Sequence, residues 1–507
     1  MAVTEVNEKV TSSAVEQVSS AEKHEHHHVK HEPHKGIFEA FREYPWAVVY
    51  CLYPLFTCIM WGYDGLAAAI VLSIPKWRED YGYLYQDQYV VSANWQLAFT
   101  AASMIGLFVG GLATGAVARA MGQKFCLLCG HVLTVAGVFC QWYSPGKMAL
   151  FFGGKLLTGI PLGIFLTIAP TYCSEVGPPA LRGALVAAVN FSIVIGQLLG
   201  YGVMRETQAM AGQNSYRVMY AVQWGFAGVG LAFLPFIPDS PFRLLARGKE
   251  DAARKSIRKL YGEATVDTRV EEIRDILTNE EAAAKQGGSY RDCFNSVNRL
   301  RTTIVLSVFF IQNMSGIGWV VGYMGYFMQL SGMQGASVFD ATVGVAGVMA
   351  VGNIASWPLL EYAGRRPTIF WGLVTMTVSF LLIGVLTQFV TRNASIALAQ
   401  VSFMAIWSFA YQASIGAAGY SLMAESMGTA MNGLSGAVWS FALPYCINPD
   451  EGNLGGNVAF IFMGLMVIST TFVWFYYPET KGRSFEEIDE LFRRKVKPRH
   501  FHKTQLA

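Results

Sequence analysis

Charged residues are scarce in this chain, and the regularly spaced cysteines of a disulfide framework are missing. Of its 507 residues only 14% are charged, whereas 53% are hydrophobic. A single soluble core of this size does not need so much apolar surface. The eight cysteines are scattered, most of them in apolar stretches, and residues 1–44 lack the apolar core of a cleavable secretory signal. The composition therefore excludes a small disulfide-bonded secreted domain and favours a polytopic membrane protein.

Sequence patterns typical of enzymes and of nucleic-acid-binding proteins are also lacking. The chain has no phosphate-binding Gly loop, no Ser/His/Asp constellation and no cluster of metal ligands in its apolar runs. We therefore expect no enzymatic activity, no ATP-driven pump, no cofactor and no metal site. The net charge of +3 is not gathered in one basic face, which argues against a nucleic-acid partner. The His-rich run at residues 24–34 is interpreted as a solvated part of the amino-terminal tail.

Twelve apolar runs are each long enough to cross the roughly 30 Å of a bilayer's hydrocarbon core. They lie near residues 46–74, 93–118, 125–144, 148–173, 184–206, 217–237, 302–327, 337–360, 368–390, 396–422, 431–447 and 457–477. The sequence therefore predicts an all-α integral membrane protein with twelve transmembrane helices in two six-helix bundles. The predicted parts are a disordered cytosolic tail (1–44), a first bundle (45–237), a helical cytosolic loop (238–301), a second bundle (302–480) and a cytosolic tail (481–507). Within the loop, residues 250–261 and 266–277 have helical periodicity and many i,i+4 charge pairs, which predicts two helices.

The positions of the basic residues predict the orientation in the membrane. With both termini in the cytosol, about 31 of the 38 Lys and Arg residues fall in the tails or the inner loops. The loop between the ninth and tenth runs then lies outside, where the sequon at Asn393 is accessible for glycosylation. We expect a multi-pass protein of the plasma membrane with the lipid bilayer as its surroundings.

Sequence motifs with fixed spacing follow three of the apolar runs. Residues 170–183 match the pattern P-x-Y-x-x-E-x-x-P-x-x-x-R-G, residues 361–366 match D-x-x-G-R-R with Glu for Asp, and residues 478–483 read Pro-Glu-Thr-Lys-Gly-Arg. In these motifs the chain resembles the sugar porters of the major facilitator superfamily. The segments 61–64, 352–357 and 447–456 are most similar to those of fungal α-glucoside (maltose-type) permeases.

The resemblance covers roughly residues 45–492 and implies a secondary transporter that works by alternating access. It further implies that charged residues at the cytosolic helix ends pair to close the inside and separate when it opens. These predicted gate residues are Glu175, Arg182, Glu361, Arg365, Arg366, Glu425, Glu479 and Arg483.

Asp64 is an acidic residue within the first apolar run, where a carboxylate is costly unless it faces a partner or a cavity. Proton-coupled sugar porters carry Asp at this position and an Arg on the fourth span, and here Lys155 stands at the Arg position. The resemblance implies that Asp64 takes a proton from outside as sugar binds, and that Lys155 holds it ionised between cycles. A structural ion pair without proton traffic is the open alternative.

Sugar recognition needs side chains that can both donate and accept hydrogen bonds, and an aromatic face for the apolar side of a pyranose. Asn190 and Gln197 lie seven residues apart, hence on one face of the fifth span, and residues 312–318 resemble the family's Q-Q-x-S-G-x-N. Each polar candidate could instead bridge helices, and each aromatic one could face lipid or the core. The candidate sugar-binding residues are Asn190, Gln197, Gln312, Asn313, Tyr323, Asn353, Tyr420 and Trp439.

Several positions depart from the family pattern. Asn replaces the usual Gln at 190 and 313, Gly318 replaces an Asn, and a base, Arg119, opens the first-half counterpart of D-x-x-G-R-R. The usual Pro of the tenth span is absent, which leaves bending there to glycines. The sequence predicts proton-coupled import of an α-glucoside such as maltose, or of a hexose. The alternatives are a carrier for a non-sugar metabolite, such as a fungal secondary metabolite, and a sugar receptor that does not transport.

Overall fold

The computed structural model describes residues 37–178, 181–285, 299–330, 333, 336–389, 394–417, 426–479, 491, 494, 496, 498, 501 and 504. Within them the chain is built from helices and one antiparallel hairpin of strands β1 (Tyr83–Tyr85) and β2 (Gln88–Val90), with Leu84 opposite Tyr89. The hairpin follows a short helix that leaves the first apolar run, so it lies in the loop between the first two runs.

Eight helices form the first part of the chain and two more precede its middle. They are α1 (Ile37–Glu43), α2 (Pro45–Ile70), α3 (Pro75–Tyr81), α4 (Ala93–Ala120), α5 (Gln123–Trp142), α6 (Met148–Val176), α7 (Arg182–Thr207), α8 (Asn214–Phe233), α9 (Pro241–Ala246) and α10 (Glu250–Tyr261). The remaining described helices are α11 (Val266–Lys285), α12 (Arg299–Met314), α13 (Ile317–Leu330), α14 (Ala336–Tyr362), α15 (Arg365–Thr387), α16 (Ala394–Tyr411), α17 (Ser426–Ile447) and α18 (Val458–Tyr476).

Eleven helical stretches among the described residues are long and apolar enough to cross a membrane. They coincide with eleven of the twelve predicted runs, and the shorter apolar stretch Leu434–Ile447 within α17 coincides with the twelfth. The spans α2 and α4 to α8 form the first bundle, and α12 to α18 form the second. Because successive spans alternate in direction, the first begins and the last ends at the same face. We call this face the terminal face and the other one the opposite face.

Several close helix contacts in the first bundle depend on glycines, among them those at Gly110 and Gly196. A Cβ at Gly110 of α4 would lie 2.1 Å from the carbonyl oxygen of Ile160 in α6. A Cβ at Gly196 of α7 would lie 2.0 Å from the carbonyl oxygen of Ile59 in α2. Small residues let membrane helices approach until their backbones touch, so any larger residue at either position would push the helices apart.

The structure refines the predicted elements in three places. The seventh run, predicted as one span over 302–327, is interrupted between α12 and α13, where Gly316 has a φ of +83°. The tenth span continues from α16 into a π-helical segment, Gln412–Gly416, instead of bending at glycines alone. Helix α1 lies within residues 1–44, which the sequence analysis assigns to a disordered tail. The helices predicted at 250–261 and 266–277 are present as α10 and α11.

Candidate functional site

Three predicted amide side chains converge on the π-helical segment in the middle of the second bundle. The Nδ2 atoms of Asn190 and Asn353 both donate to the side-chain Oε1 of Gln412, over 3.2 Å and 3.1 Å. Asn190 and Gln312 also donate to the carbonyl oxygen of Gly416, each over 3.4 Å. Because Asn190 belongs to the first bundle and the other residues to the second, this amide cluster joins the two bundles.

Gln412 is not among the residues predicted from the sequence, although its side chain connects the cluster. It is 4% exposed, and its single carbonyl oxygen accepts from both bundles. The signal in the sequence was a Gln within the tenth apolar run, but a polar residue in a span predicts neither its partners nor the π segment that carries it. Such π segments occur often at functional sites, where they turn a side chain away from its ordinary helical position.

On α7 and α14, two helices that contribute to the amide cluster, two acceptor atoms have no hydrogen-bond partner among the described residues. They are Oε1 of Gln197, two helical turns from Asn190 on α7, and Oδ1 of Asn353. Both atoms are buried, and an unpaired buried acceptor costs free energy of about 1–3 kcal/mol. A ligand hydroxyl that donates to either atom would remove this cost.

The remaining sugar-binding candidates are distributed around the second bundle. Asn313 donates from Nδ2 to Ser435 Oγ over 3.0 Å and so links α12 to α17. Trp439 is half-buried, with its indole N–H 3.2 Å from the sulfur of Met314 and its ring 4.5 Å from that of Phe462. Tyr323 is buried in the core of the bundle. Tyr420 lies outside the described residues.

The predicted ion pair between Asp64 and Lys155 is present inside the first bundle. Lys155 Nζ lies 3.1 Å from Asp64 Oδ1, and the side chains are 0% and 2% exposed, respectively. The same oxygen accepts a hydrogen bond of 2.8 Å from Gln223 Nε2 on α8, a partner that the sequence analysis did not identify. The second carboxylate oxygen, Oδ2, is buried and has no hydrogen-bond partner among the described residues.

At the opposite face a set of polar contacts, which we call the outer clasp, joins the two bundles. Asn448 Oδ1 accepts from Gln96 Nε2 over 2.9 Å, and Asn448 Nδ2 donates to the carbonyl oxygen of Val91 over 3.0 Å. Arg78 donates to Gln329 Oε1 over 2.9 Å. The further cross-bundle contacts are Tyr445 to Asn94, Arg205 to Asp340, Tyr201 to the Val321 carbonyl and Tyr83 to Asp450. In this conformation the described residues close the opposite face.

The phenol of Tyr83 in the clasp remains a hydrogen-bond donor over the physiological pH range. The hydrogen bond to Asp450 raises the pKa of Tyr83 to about 12, since a phenolate could no longer donate to the carboxylate. The native pKa therefore lies above the usual value for Tyr, and the contribution of this contact to stability is present below pH 10 and lost as the pH rises through about 12.

At the terminal face of the second bundle, Glu479 caps the start of α15. Its Oε1 accepts from the backbone N–H of Arg365 over 3.2 Å, and its Oε2 accepts from that of Arg366 over 3.1 Å. The carboxylate lies against Gly364, which has a φ of +91° and leaves no room for a Cβ. A carboxylate there satisfies free N–H groups and is stabilised by the helix dipole. The motif after the last span thus fastens the end of α18 to the start of α15.

The first bundle has a different arrangement at the same face. Glu175 Oε2 accepts from Gln123 Nε2 over 3.1 Å, and Arg182 donates from Nε to the Gly177 carbonyl over 3.3 Å. The place that Glu479 occupies against Gly364 is taken here by the guanidinium of Arg243, which packs against Gly122 at a φ of +110°. The glycine that precedes α5 thus packs against a cation, whereas the glycine that precedes α15 packs against a capping carboxylate.

The other predicted gate residues give less information. Glu361 is exposed at the end of α14, and Glu425 and Arg483 lie outside the described residues, as does the predicted glycosylation site Asn393. Among the described residues, no group of three or more His, Cys, Asp or Glu side chains is placed to hold a metal ion.

Comparison with known proteins identifies the family. A family model described as "Sugar (and other) transporter" matches residues 50–492. The general alpha-glucoside permease of Saccharomyces cerevisiae is 27% identical over 486 residues, which cover 92% of this chain and 78% of the permease. The MFS transporter fmqE of Aspergillus fumigatus is 27% identical over 480 residues, which cover 92% of this chain and 88% of that protein.

Solved structures share the fold. The xylose transporter XylE from E. coli, in a partially occluded inward open conformation, matches with a TM-score of 0.72 at 21% identity, over 87% of this chain and 100% of that chain. Another XylE structure, described as a proton:xylose symporter, matches with a TM-score of 0.70 at 23% identity, over 88% and 99%. The predicted all-α fold of twelve transmembrane helices in two bundles is thereby confirmed. Because the family model spans most of the chain, the protein belongs to the sugar porters of the major facilitator superfamily and is a transporter rather than an enzyme.

Proposed function

We propose that this protein imports a sugar, an α-glucoside such as maltose or a hexose, together with a proton by alternating access. The observation that carries the proposal is the buried amide cluster, which joins the first bundle to the second through Asn190 and Gln412. The proton gradient is the proposed energy source. In this proposal the protein lies in the plasma membrane with its terminal face in the cytosol, and Asn393 is glycosylated outside.

The chemistry of the cluster suits a ligand with several hydroxyl groups. The cluster supplies amide donors from three helices, and the unpaired oxygens of Gln197 and Asn353 supply acceptors. A sugar hydroxyl can donate and accept at once, so it can replace an amide in the cluster and also satisfy an orphaned acceptor. Trp439, half-buried next to the cluster's α12 helix, is the proposed aromatic surface for the sugar ring.

The proton is proposed to bind at Asp64. One carboxylate oxygen already accepts from Lys155 and Gln223, so the unpaired Oδ2 is the atom that remains for a proton. Neutralising Asp64 removes the charge that Lys155 balances, and the buried pair can then separate at a lower free-energy cost. Of the comparison proteins, XylE is described as a proton:xylose symporter. We propose that the same coupling operates here, with Lys155 restoring the ionised carboxylate between cycles.

Alternating access is proposed to consist of opening one face while the other closes. The outer clasp holds the opposite face closed in the present conformation, and the charged residues of the terminal face would close the other conformation. The proposed inner gate comprises Glu175, Arg182, Glu361, Arg365, Arg366, Glu425, Glu479 and Arg483. The capping of α15 by Glu479 gives the gate a mechanical role, because it couples α18 to α15.

A second candidate function is transport of a non-sugar metabolite. The observation that favours it is the change at the sugar-binding positions, where Asn190 and Asn313 are shorter than Gln and residue 318 is a glycine that is exposed. The shorter amide side chains, and the loss of an amide at Gly318, alter both the size of the site and the hydrogen bonds it can make. The third candidate is a sugar receptor without transport.

A competition uptake panel separates the three candidates. The protein is expressed in cells that lack their own sugar transporters, and uptake of labelled maltose and of labelled glucose is measured with and without a protonophore. Unlabelled sugars and non-sugar metabolites then compete. The proposal expects saturable uptake that other sugars inhibit and the protonophore abolishes. Uptake of a labelled non-sugar metabolite without uptake of either sugar would favour the second candidate, and binding of labelled sugar to the purified protein without uptake would favour the receptor.

A further inference from the structure

A cavity of about 520 Å³ lies at the terminal face, between the start of the first span and the cytosolic-loop helix α10. Its lining combines basic and aromatic side chains from two parts of the chain that are more than 200 residues apart. Helix α1 contributes Arg42, the first span contributes Trp46 and Tyr50, and α10 contributes Arg258, Lys259 and Tyr261. The cavity is separate from the amide cluster and from the Asp64 pair, and the transport mechanism does not use it.

The charge of the cavity is positive. Arg42, Arg258 and Lys259 contribute three cations, Glu43 also lines the cavity, and Arg258 is paired with Glu263 next to it. Arg42 is exposed and makes no hydrogen bond or ion pair with another described residue. Lys259 donates to the Phe236 carbonyl over 2.6 Å and lies 5.0 Å from the ring centre of Tyr50, which holds its ammonium group at the cavity wall. An anion in the cavity would therefore meet cations that are already positioned.

The cavity lies at the depth where a membrane meets water. Helix α2 begins at Pro45, which lines the cavity, and the sixth span ends at Phe236, whose carbonyl accepts a hydrogen bond from Lys259 of the cavity wall. Trp46 is 62% exposed and Phe41 is 55% exposed at this level. Aromatic side chains are enriched at the membrane interface because their rings suit the headgroup region. Lipid headgroups can thus reach the cavity from the side of the bilayer.

Tyr261, which lines the cavity, is fixed in place. Tyr261 packs edge-on against Tyr44 at 5.4 Å between ring centres, and its hydroxyl donates to the Val176 carbonyl over 2.6 Å. Burial raises the pKa of Tyr261 to about 12, so its hydroxyl keeps the proton that it donates. The part of the cavity wall formed by Tyr261 is therefore held by contacts to Tyr44, just before α2, and to α6, and a ligand would find it preformed.

We propose that this cavity binds the phosphorylated headgroup of an anionic phospholipid from the adjoining leaflet. The phosphate would be held by Arg42 and Lys259, and the acyl chains would leave past Trp46 into the bilayer. Juxtamembrane cations of this kind attract anionic lipids, and a preformed cavity adds shape to the attraction. The bound lipid would connect the first span to α10. This inference requires only that the protein spans a membrane and does not depend on the cargo.

The test measures lipid binding to the purified full-length protein in detergent. Dioctanoyl phosphatidylinositol phosphate is titrated, and the bound species are counted by native mass spectrometry. The double variant Arg42→Gln/Lys259→Gln is expected to bind this lipid about tenfold more weakly than the wild type, because two cations near the headgroup are lost. The matched control is Lys249→Gln/Lys255→Gln, which removes the same charge from exposed residues of the same face outside the cavity. It is expected to bind as the wild type does.

Further arms identify the source of the phosphate and verify the fold. Dioctanoyl phosphatidylcholine is expected to bind weakly and equally to all three proteins, and circular dichroism is expected to report the same helix content for each. Equal loss of phosphoinositide binding in the two double variants would overturn the proposal, because the attraction would then be a property of the whole basic face. Tighter binding of inorganic phosphate than of the lipid would also overturn it and would identify a site for a soluble anion. Absence of measurable lipid binding by the wild type would refute it directly.

Discussion

At the scale of single residues, the buried pair of Asp64 and Lys155 is the most costly feature of the molecule. Removing two charges from water costs several kcal/mol for each ion, and their attraction offsets this cost only when the geometry is good. The geometry is good at Asp64 Oδ1, which accepts hydrogen bonds from both Lys155 and Gln223. The other oxygen has no hydrogen-bond partner in the part of the chain that the structure describes. Such an arrangement contributes little to the stability of the bundle, but it leaves a carboxylate oxygen that can accept a proton.

Removing one member of this pair should destabilise the protein more than removing both. Lys155→Met leaves a carboxylate buried without its counter-charge, at a cost of about 3–5 kcal/mol. The double variant Asp64→Asn/Lys155→Met removes both charges and keeps the acceptor for Gln223, so it should recover much of the loss. The measurement is the thermal unfolding midpoint of the purified proteins in detergent. A single variant as stable as the wild type would show that Asp64 is already neutral.

Gln412 is the second residue with an outsized role, because its oxygen satisfies an amide from each bundle. Gln412→Met fills a similar volume but offers no good acceptor, so Asn190 and Asn353 should each lose about 1 kcal/mol or more. We expect a lower unfolding midpoint and altered sugar affinity. Gln412→Glu keeps a carboxyl oxygen for both amides in either protonation state and is the matched control. Equal behaviour of the two variants would mean that the cluster does not depend on this oxygen.

At the scale of elements, the link between α18 and α15 through Glu479 defines what the motif after the last span does. Glu479→Ala removes the acceptor from the first N–H groups of α15 and should cost about 0.5–2 kcal/mol, as for other helix caps. Hydrogen exchange should become faster in the first turn of α15, while Glu479→Gln, which keeps one acceptor oxygen, should change it less. Unchanged exchange in Glu479→Ala would show that water or another group replaces the cap.

The elements themselves were predictable because membrane spans have a strong local signal. A run of some 20 apolar residues is visible without any partner, and the helices α10 and α11 were visible from their charge periodicity. The break at Gly316 and the π segment Gln412–Gly416 were not. Both depend on what the helix packs against: at Gly316 a Cβ would lie 2.8 Å from the ring of Phe380. The residues next to Gly316 in the sequence do not predict that Phe380 packs against it.

The site was predictable in part for the same reason. Asp64, Lys155, Asn190, Gln312 and Asn353 are polar residues in apolar runs, and polarity in a span is a signal that one residue carries alone. Their partners Gln223 and Gln412 carry the same signal but do not stand at a family motif. Which polar residues meet is decided by the packing of helices, so Gln412 acquires its role only once α7, α14 and the π segment are in place.

At the scale of the whole molecule, the outer clasp determines which face is closed. Its contacts join residues separated by more than 100 positions in sequence, and several, such as Gln96 with Asn448, by more than 300. No motif predicted them, because the clasp uses ordinary amides, carbonyls and phenols. The two bundles could be predicted from the twelve apolar runs. Which face the bundles close could not be predicted.

Weakening the clasp should open the opposite face. Asn448→Ala removes hydrogen bonds to Gln96 and to the Val91 carbonyl, and at about 1 kcal/mol each their loss should raise the open population roughly tenfold or more. The reporter is a cysteine in place of Ser73, which is buried beside Gly325 under the clasp. Its labelling by a membrane-impermeant maleimide should accelerate in Asn448→Ala. Glu451→Gln, in the same loop, should leave the rate unchanged; equal rates in all backgrounds would contradict the clasp.

In the proposed mechanism the two bundles rotate against each other around a bound sugar while Asp64 carries a proton. The most direct measurement is uptake of labelled maltose by proteoliposomes that hold the purified protein, with an acidic exterior and no other energy source. We expect accumulation above the external concentration in the wild type, its collapse with a protonophore, and equilibration without accumulation in Asp64→Asn. Accumulation that survives both the protonophore and the Asp64→Asn substitution would contradict it.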